Sequence, residues 1–409
     1  MTIDVRRVRD DEFDAWSDAI DIGFISPQNR GDGPRRRPWF DLERCWGAFD
    51  EGTPVGSLRG IDLELTVPGG AAVRTDAISA VTVAPTHRRQ GLLRRMMTGE
   101  LEAARERGEP LAALIAAEYP IYGRFGYAPA TEIGTCTLDA TAARFVRELP
   151  GTVEIVDVAT AHTEGAAVYD AVRALTPGAV SRTGAYWERQ LGLAPREGEP
   201  STKNVLHALC RDGDGRAVGY VAYKFGPERW IHGRPNNQVE ALDLFAVNVE
   251  YEARLWKVLA DHDWVVEVFS TELRRADELW RDLLVNRRAA WPSELWEGVW
   301  VRVLDAPAAL GARRYEVPGR IVLRIVDKDG YADGTFALEG GPDGAACSRT
   351  AESAEVTLPV DVLAAIYLGG FSAARFERLG RIEEHAPGAV DRLTAMFRTA
   401  IAPWTPTTF

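Results

Sequence analysis

The chain has 409 residues, 46% hydrophobic and 26% charged, and its 48 Lys and Arg against 60 Asp and Glu leave a formal charge of −12. That length allows about two or three domains with cores of their own, while the acidic balance disfavours nucleic acid and favours small cationic, polyamine-like partners. No run reaches the roughly 18 apolar residues of a membrane helix, and Met1 to Ile20 is rich in Arg, Asp and Glu without a signal-like segment, so a cytoplasmic protein with no membrane partner is expected.

From Val5 to about Ala140, charged helix-like stretches alternate with short strands such as Cys45 to Phe49 and Gly56 to Leu65, which predicts a mixed α/β domain. Within it, Ile78 to Met97 reads as strand, basic loop and helix start. Val81 and Val83 alternate around Thr82 as in a strand, and Pro85 ends it. Gly91 permits a close turn before Leu92, Leu93, Met96 and Met97 take up helical spacing. The N–H groups of Arg89 to Arg94 would then point outward together. A helix N-terminus carries about +0.5 charge and free donors, so a pyrophosphate fits there, with Arg88 or Arg89 adding a charge-assisted contact. A basic surface turn before an amphipathic helix is the alternative reading. The absence of Gly-Lys-Ser/Thr excludes a Walker loop, and the single glycine excludes a dinucleotide fingerprint.

Pro110 to Ala117 is a continuous apolar run of the buried-strand type. The Gly-, Pro- and aromatic-rich Glu118 to Thr131 then marks a tight turn beside a site. Ala241 to Val249 echoes Asp76 to Val83 and is followed by a helix from Glu252 to Asp261, but Glu250-Tyr251-Glu252-Ala253-Arg254 replaces Arg88-Arg89-Gln90-Gly91. Acids at that turn repel a phosphate, so one active site per chain is expected. The Trp-rich Ala290 to Trp300 reads as the end of this second unit. Strands at Arg320 to Gly330 and Ala354 to Leu358, with amphipathic helices at Val360 to Tyr367 and Ala389 to Ala400, predict a third, α+β domain. Widely spaced Cys45, Cys136, Cys210 and Cys347 read as buried free thiols. The six histidines (His87, His162, His207, His232, His262, His385) have no ligand spacing, so no metal is expected.

The order strand, Arg88-Arg89-Gln90-Gly91-Leu92-Leu93, helix resembles the acetyl-CoA loop of the GCN5-related N-acetyltransferases, with Leu93 in place of the pattern's last small residue. With the echo, the third domain, Ile121-Tyr122-Gly123-Arg124-Phe125-Gly126-Tyr127, Tyr367-Leu368-Gly369-Gly370 and the terminal Phe409, the whole chain resembles the enhanced intracellular survival (Eis) acetyltransferases of actinobacteria. The resemblance implies two tandem GCN5-related domains, the second degenerate, and a C-terminal sterol-carrier-like α+β domain, drawn here as residues 1–148, 149–302 and 303–409. It also implies a homo-hexamer that acetylates amines, including several amino groups of aminoglycosides.

Carried over by position, Val81, Thr82 and Val83 would pair with the pantetheine arm, Arg88 to Arg94 would hold the pyrophosphate, and Tyr122 and Gly123 would flank acetyl-CoA. Tyr127 would be the general acid and the C-terminal carboxylate of Phe409 the general base. Without the resemblance, Tyr127 is more readily a packed core tyrosine. A phenol is nonetheless a neutral donor at pH 7, suited to a departing thiolate. The uncharged, Pro-containing tail Ala402 to Phe409 suits a docked terminus. Around the amine, Phe24, Ser26, Trp39, Ala80, Glu118 and Thr408 are the expected wall, with Thr408, Ser26 and Ala80 standing where the family pattern has acids or an aromatic. A less acidic, roomier pocket follows, with Trp39 as its aromatic side. A lipid-binding module and a CoA-sensing protein without turnover are the rival readings.

Overall fold

In the computed structural model, which describes residues 3–193 and 202–409, the first sheet runs β1 (Asp4–Arg7), β2 (Cys45–Asp50), β3 (Thr53–Thr66), β4 (Ala72–Val83), β5 (Leu111–Ile115), then Val299–Val303, then β6 (Ala128–Pro129). Neighbours are antiparallel except β4 and β5, which lie parallel because a crossover helix joins them. The helices of this unit are α1 (Phe13–Gly23), which packs on β3 and β4, α2 (Gly33–Arg36), the crossover α3 (Leu92–Glu106) and the short α4 (Tyr119–Tyr122). Strand alternation divides the sheet into two faces. Ala77, Leu111, Ala113, Ala128, Val299, Val301 and Val303 pack towards the third domain, whereas Ile78, Ala112, Leu114, Tyr127 and Trp300 pack against Leu92, Met96, Met97 and Leu101 of α3. Each buried Leu or Met of that helix contributes about 1.5–3 kcal/mol.

The second sheet takes β7 (Glu132–Asp139) between Ala290–Glu297 and Val265–Arg275, and continues through Asn237–Ala246, Ala217–Phe225, Val205–Arg211 and Thr152–Val156. The sheets therefore exchange strands: β7 leaves the first unit for the second, and Val299–Val303 returns. Cuts at 148 and 302 run across both sheets. The Trp-rich segment breaks at Gly298 into one strand of each sheet, because all five residues of Val299–Val303 are buried between β5 and β6. An apolar run identifies a buried strand but not its sheet.

The predicted echo is a strand–helix–parallel strand unit, Asn237–Ala246, Val249–Ala260 and Val265–Arg275, matching β4, α3 and β5. The third domain carries a five-stranded sheet and helices Ala306–Ala312, Val360–Tyr367, Ala373–Arg378 and Ala389–Phe397. That last helix is shorter than predicted, since Arg398 turns to an extended conformation. Cys45, Cys136 and Cys210 are buried free thiols, and Cys347 is half-buried.

Beneath the C-terminal half of α3 lies a charged cluster. Asp76, Glu100 and Glu109 are each no more than 1% exposed. Arg44 reaches Asp76 at 3.1 Å, and Arg107 reaches Glu100 at 2.8 Å and Glu109 at 3.0 Å. Gly60 makes the room: a Cβ there would stand 2.4 Å from Asp76 Oδ1 and 2.5 Å from Glu100 Oε1. Burial pushes the Asp76 carboxyl well above the usual range, Glu100 and Glu109 push the same way, and Arg107 and Arg44 oppose them.

Candidate active site

The site begins where β4 leaves β5. Their pairing ends at Ile78 opposite Leu114. Ala80, with φ of +52°, then places two residues of β4 opposite one of β3, and the register with β3 shifts between Ser57 and Arg59. Ser57 Oγ holds the bulge by donating to the Ala80 carbonyl at 2.7 Å. A bulge bends its strand, and beyond it the β5-facing edge of Val81 to Val83 has no strand partner among the described residues. An extended ligand with amide groups can pair there as an added strand would.

At the end of β4, Pro85–His87 forms a single turn, Arg89 and Gly91 adopt left-handed φ of 64° and 77°, and α3 starts at Leu92. No side chain caps that start among the described residues. Its first N–H groups are therefore free donors at the positive end of a 15-residue helix. In the second unit the equivalent helix is closed: Asn248 accepts from the N–H groups of Glu250 and Tyr251, and Glu250 and Glu252 occupy its first turn. Free N–H donors thus stand at one helix start and are taken up at the other.

Splayed strands and helix start share one cavity of about 760 Å³, lined by Gly23, Phe24, Ile25, Val81 to Val83, His87 to Arg89, Gly91 to Arg94, Ala117, Glu118, Pro120 to Tyr122, Arg124 and Phe125. Arg88, Arg89, Arg94 and Arg124 make its walls basic on a chain of formal charge −12. Behind Tyr122 stands Tyr127, 1% exposed, whose hydroxyl has no hydrogen-bond partner among the described residues. Leaving a buried polar group unpaired costs about 1–3 kcal/mol. Burial raises the phenol well above its ordinary pKa, Asp76 adds to this where it is ionised, and Arg302 opposes it. The hydroxyl therefore keeps its proton at neutral pH and has one hydrogen bond to give.

The acetyltransferase (GNAT) domain family matches residues 4–130 and again 178–303, and the sterol carrier protein domain family matches 306–406. An N-acetyltransferase from Streptomyces griseus is 39% identical over 417 residues, covering 100% of both chains. N-acetyltransferase Eis from Mycobacterium tuberculosis is 33% identical over 363 residues, covering 87% of this chain and 86% of its own. The chain belongs to the Eis N-acetyltransferase family.

The Eis1 structure from Mycobacterium abscessus superposes with a TM-score of 0.86 at 27% identity, covering 100% of both chains. Two GNAT domains and a sterol-carrier-like domain, as the resemblance implied, are the Eis architecture, and the protein is an N-acetyltransferase. Acetyltransferases of this fold take their acetyl group from acetyl-CoA.

For this Eis-family chain, most of the expected cofactor contacts come together: Val81, Thr82, Val83, Arg88, Arg89, Gly91, Leu92, Leu93, Arg94 and Tyr122 all line the cavity. Gln90 is exposed beside it, and Gly123 lies between the wall residues Tyr122 and Arg124. Of the expected amine wall, Phe24 and Glu118 line the cavity and Ser26, Trp39, Ala80 and Thr408 do not. Ser26 Oγ folds back on the Phe24 carbonyl, Trp39 offers its carbonyl to Arg59, and Ala80 serves as the bulge. Sequence reasoning missed Ile25, 88% exposed at the rim with φ of 59°, and also Arg124 and Phe125. The last two sit inside the motif that located Tyr127.

The tail is docked. Trp404 to Thr407 are buried, Trp404 Nε1 donates to Leu273 O at 2.7 Å, and Thr407 Oγ1 meets Tyr169 Oη at 2.8 Å and Arg182 Nε at 2.9 Å. Arg182 is itself fixed by Asp243 at 2.7 Å. Thr408 and Phe409 are half-buried, and Phe409 packs on the core shared by the first sheet and the third domain.

Proposed function

We propose that the protein moves acetyl from acetyl-CoA to an amino group of a small cationic amine, aminoglycosides at several positions included, by direct attack in a ternary complex. In this reading the pyrophosphate sits on the N–H groups of Arg89 to Arg94 with Arg88 alongside. The pantetheine arm pairs with Val81 to Val83, and Tyr122 and Gly123 flank it. The amine enters past Phe24 and Glu118. It loses a proton to the terminal carboxylate of Phe409, its lone pair attacks the thioester carbonyl, and the C–S bond breaks as Tyr127 gives its proton to the departing thiolate and the nitrogen releases its second proton to solvent.

The observation that carries this reading is the buried, unpartnered Tyr127 hydroxyl behind a cavity that ends at a free helix N-terminus. Most buried hydroxyls of packed tyrosines have a partner, so an orphaned one supports a role in proton donation. Operation as a homo-hexamer in the cytoplasm belongs to the same proposal. Exposed Trp230, Ile231 and Trp264 on one side of the second unit offer apolar surface of the kind subunits cover. The test is CoA release from acetyl-CoA across aminoglycosides, polyamines and lysine peptides. Turnover that falls about 10²–10⁴-fold in Tyr127→Phe is expected; acetyl-CoA binding without turnover on any amine would turn the reading towards a sensor.

A further inference from the structure

Tyr127 lies in a row that crosses three strands. Asp76 of β4 pairs with Ala112 of β5, Ala112 pairs with Arg302, and the register of Val301 with Ala128, continued one residue beyond β6, brings Arg302 opposite Tyr127. Residues directly opposite share a face of the sheet. The row thus presents a carboxyl, a methyl, a guanidinium and the phenol on the side of α3. Arg302 is 0% exposed, and its Nη2 bonds both carboxylate oxygens of Asp327 at 2.8 Å. Asp327 belongs to the third domain and is fixed in turn, accepting from the N–H groups of Asp329 and Ala332.

The guanidinium also lies against the turn that carries Tyr127. Gly126 has φ of +78°, and a Cβ there would meet Arg302 Cζ at 2.7 Å and Val360 Cγ1 of the third domain at 2.9 Å. Arg302 Nε has no hydrogen-bond partner among the described residues, so its hold on the turn is by contact and charge. We propose that Arg302, locked by Asp327, is a positioning residue for Tyr127, holding the Gly126–Tyr127 turn and placing a positive charge behind the phenol, so that the sterol-carrier-like domain takes part in acetyl transfer through this ion pair. This rests on the reading of Tyr127 as the general acid.

The charged and titratable groups acting on the phenol come from each element packed there: Asp76 from β4, Glu100 from α3, Tyr122 from α4, and Arg302. Arg302 is the positive one among them. It eases the negative charge left on the phenol oxygen as the proton moves to sulfur. Glu100, and Asp76 where it is ionised, act in the opposite sense.

Removing one partner strands the other charge in the interior, so both change together, as Arg302→Met with Asp327→Asn. The assay is steady-state acetyl transfer to kanamycin or spermidine, or hydrolysis of acetyl-CoA where neither is taken, in the full chain. The expected result is kcat lowered about tenfold or more with acetyl-CoA affinity within about twofold, and, in a Tyr127→Phe background, no further loss beyond about twofold, because residues acting through one group are not additive. Unchanged kcat in the double variant overturns the inference, and so does an equal loss in both backgrounds, which marks general loosening. If Tyr127→Phe is impaired while the double variant is not, the acid reading stands and this one falls; if Tyr127→Phe is fully active, both fall. Should the double variant not fold, Arg302→Lys keeps the charge and loses the planar contact, and kcat lowered about threefold or more in the parent alone is expected.

Discussion

The Tyr122 ring meets the Tyr127 ring edge to face, with centroids 6.3 Å apart and planes at 71°. Tyr122 lines the cavity and Tyr127 stands behind it, so the two phenols differ in setting although five residues apart. Tyr122→Phe keeps the ring contact and is expected to leave kcat within about threefold, whereas Tyr127→Phe lowers it about 10²–10⁴-fold. Parallel steady-state kinetics check this; equal losses would remove the distinction.

Arg89 contributes a charge and a strained left-handed turn to the helix start. Hydrogen bonds to charged groups are worth about 1.5–3 kcal/mol, so Arg89→Ala should weaken CoA by about tenfold or more, with kcat at saturating acetyl-CoA little changed. Calorimetric titration at two salt concentrations measures it, and the variant should show the shallower salt dependence.

The Asp76 carboxyl, held above the ordinary range by burial first and by Glu100 and Glu109 next, ties stability to pH. An unfolded Asp titrates near 4, at about pH 3.9. Below that both states hold the proton. As pH rises from about 4 towards the folded value, the folded state alone keeps it, and stability falls. Asp76→Asn removes this loss, so its melting temperature should gain on the parent's between pH 5 and pH 8. Parallel curves would show that Asp76 ionises on folding as it does unfolded.

Thr407 and Trp404 anchor the tail so firmly that the last two residues have a short reach. One residue added after Phe409 should lower kcat by about 10²-fold or more if the terminal carboxylate is the base, with acetyl-CoA affinity unaffected. A fully active extended chain would exclude that base. Arg182→Ala, which takes one of two side-chain partners from Thr407 and releases the Pro406 carbonyl, should give a partial form of the same defect.

The loop, the helix it opens and the aromatic turn were legible because each rests on local chemistry: Pro85 ends a strand, Gly91 adopts positive φ, and Leu92, Met96 and Met97 keep helical spacing. The degenerate echo was legible for the same reason, as acids replaced donors at Glu250 and Glu252. Less legible was whatever depends on pairing across distance. Nothing near Val299 says that it lies beside Ile115 rather than within the second sheet, and Arg302 reads as one more arginine until Asp327 is placed against it. Ser26, Trp39 and Ala80 were expected at the amine wall and do not line the cavity, because side-chain direction at a bulge or a single turn does not follow strand or helix period.

The exchange of β7 for Val299–Val303 orders events on the ribosome. When residue 148 has been made, the catalytic sheet still lacks the strand that pairs β5 with β6, and the turn bearing Tyr127 lacks Arg302, which lies against it. At about 5–20 residues per second, synthesis takes on the order of ten seconds or more to reach Val303. Over that interval the first unit is an open half-sheet with an apolar edge at β5, exposed to whatever chaperones or sister chains are at hand. The acetyltransferase site thus becomes complete only after the second unit has been translated, and a fragment ending at residue 148 should emerge insoluble.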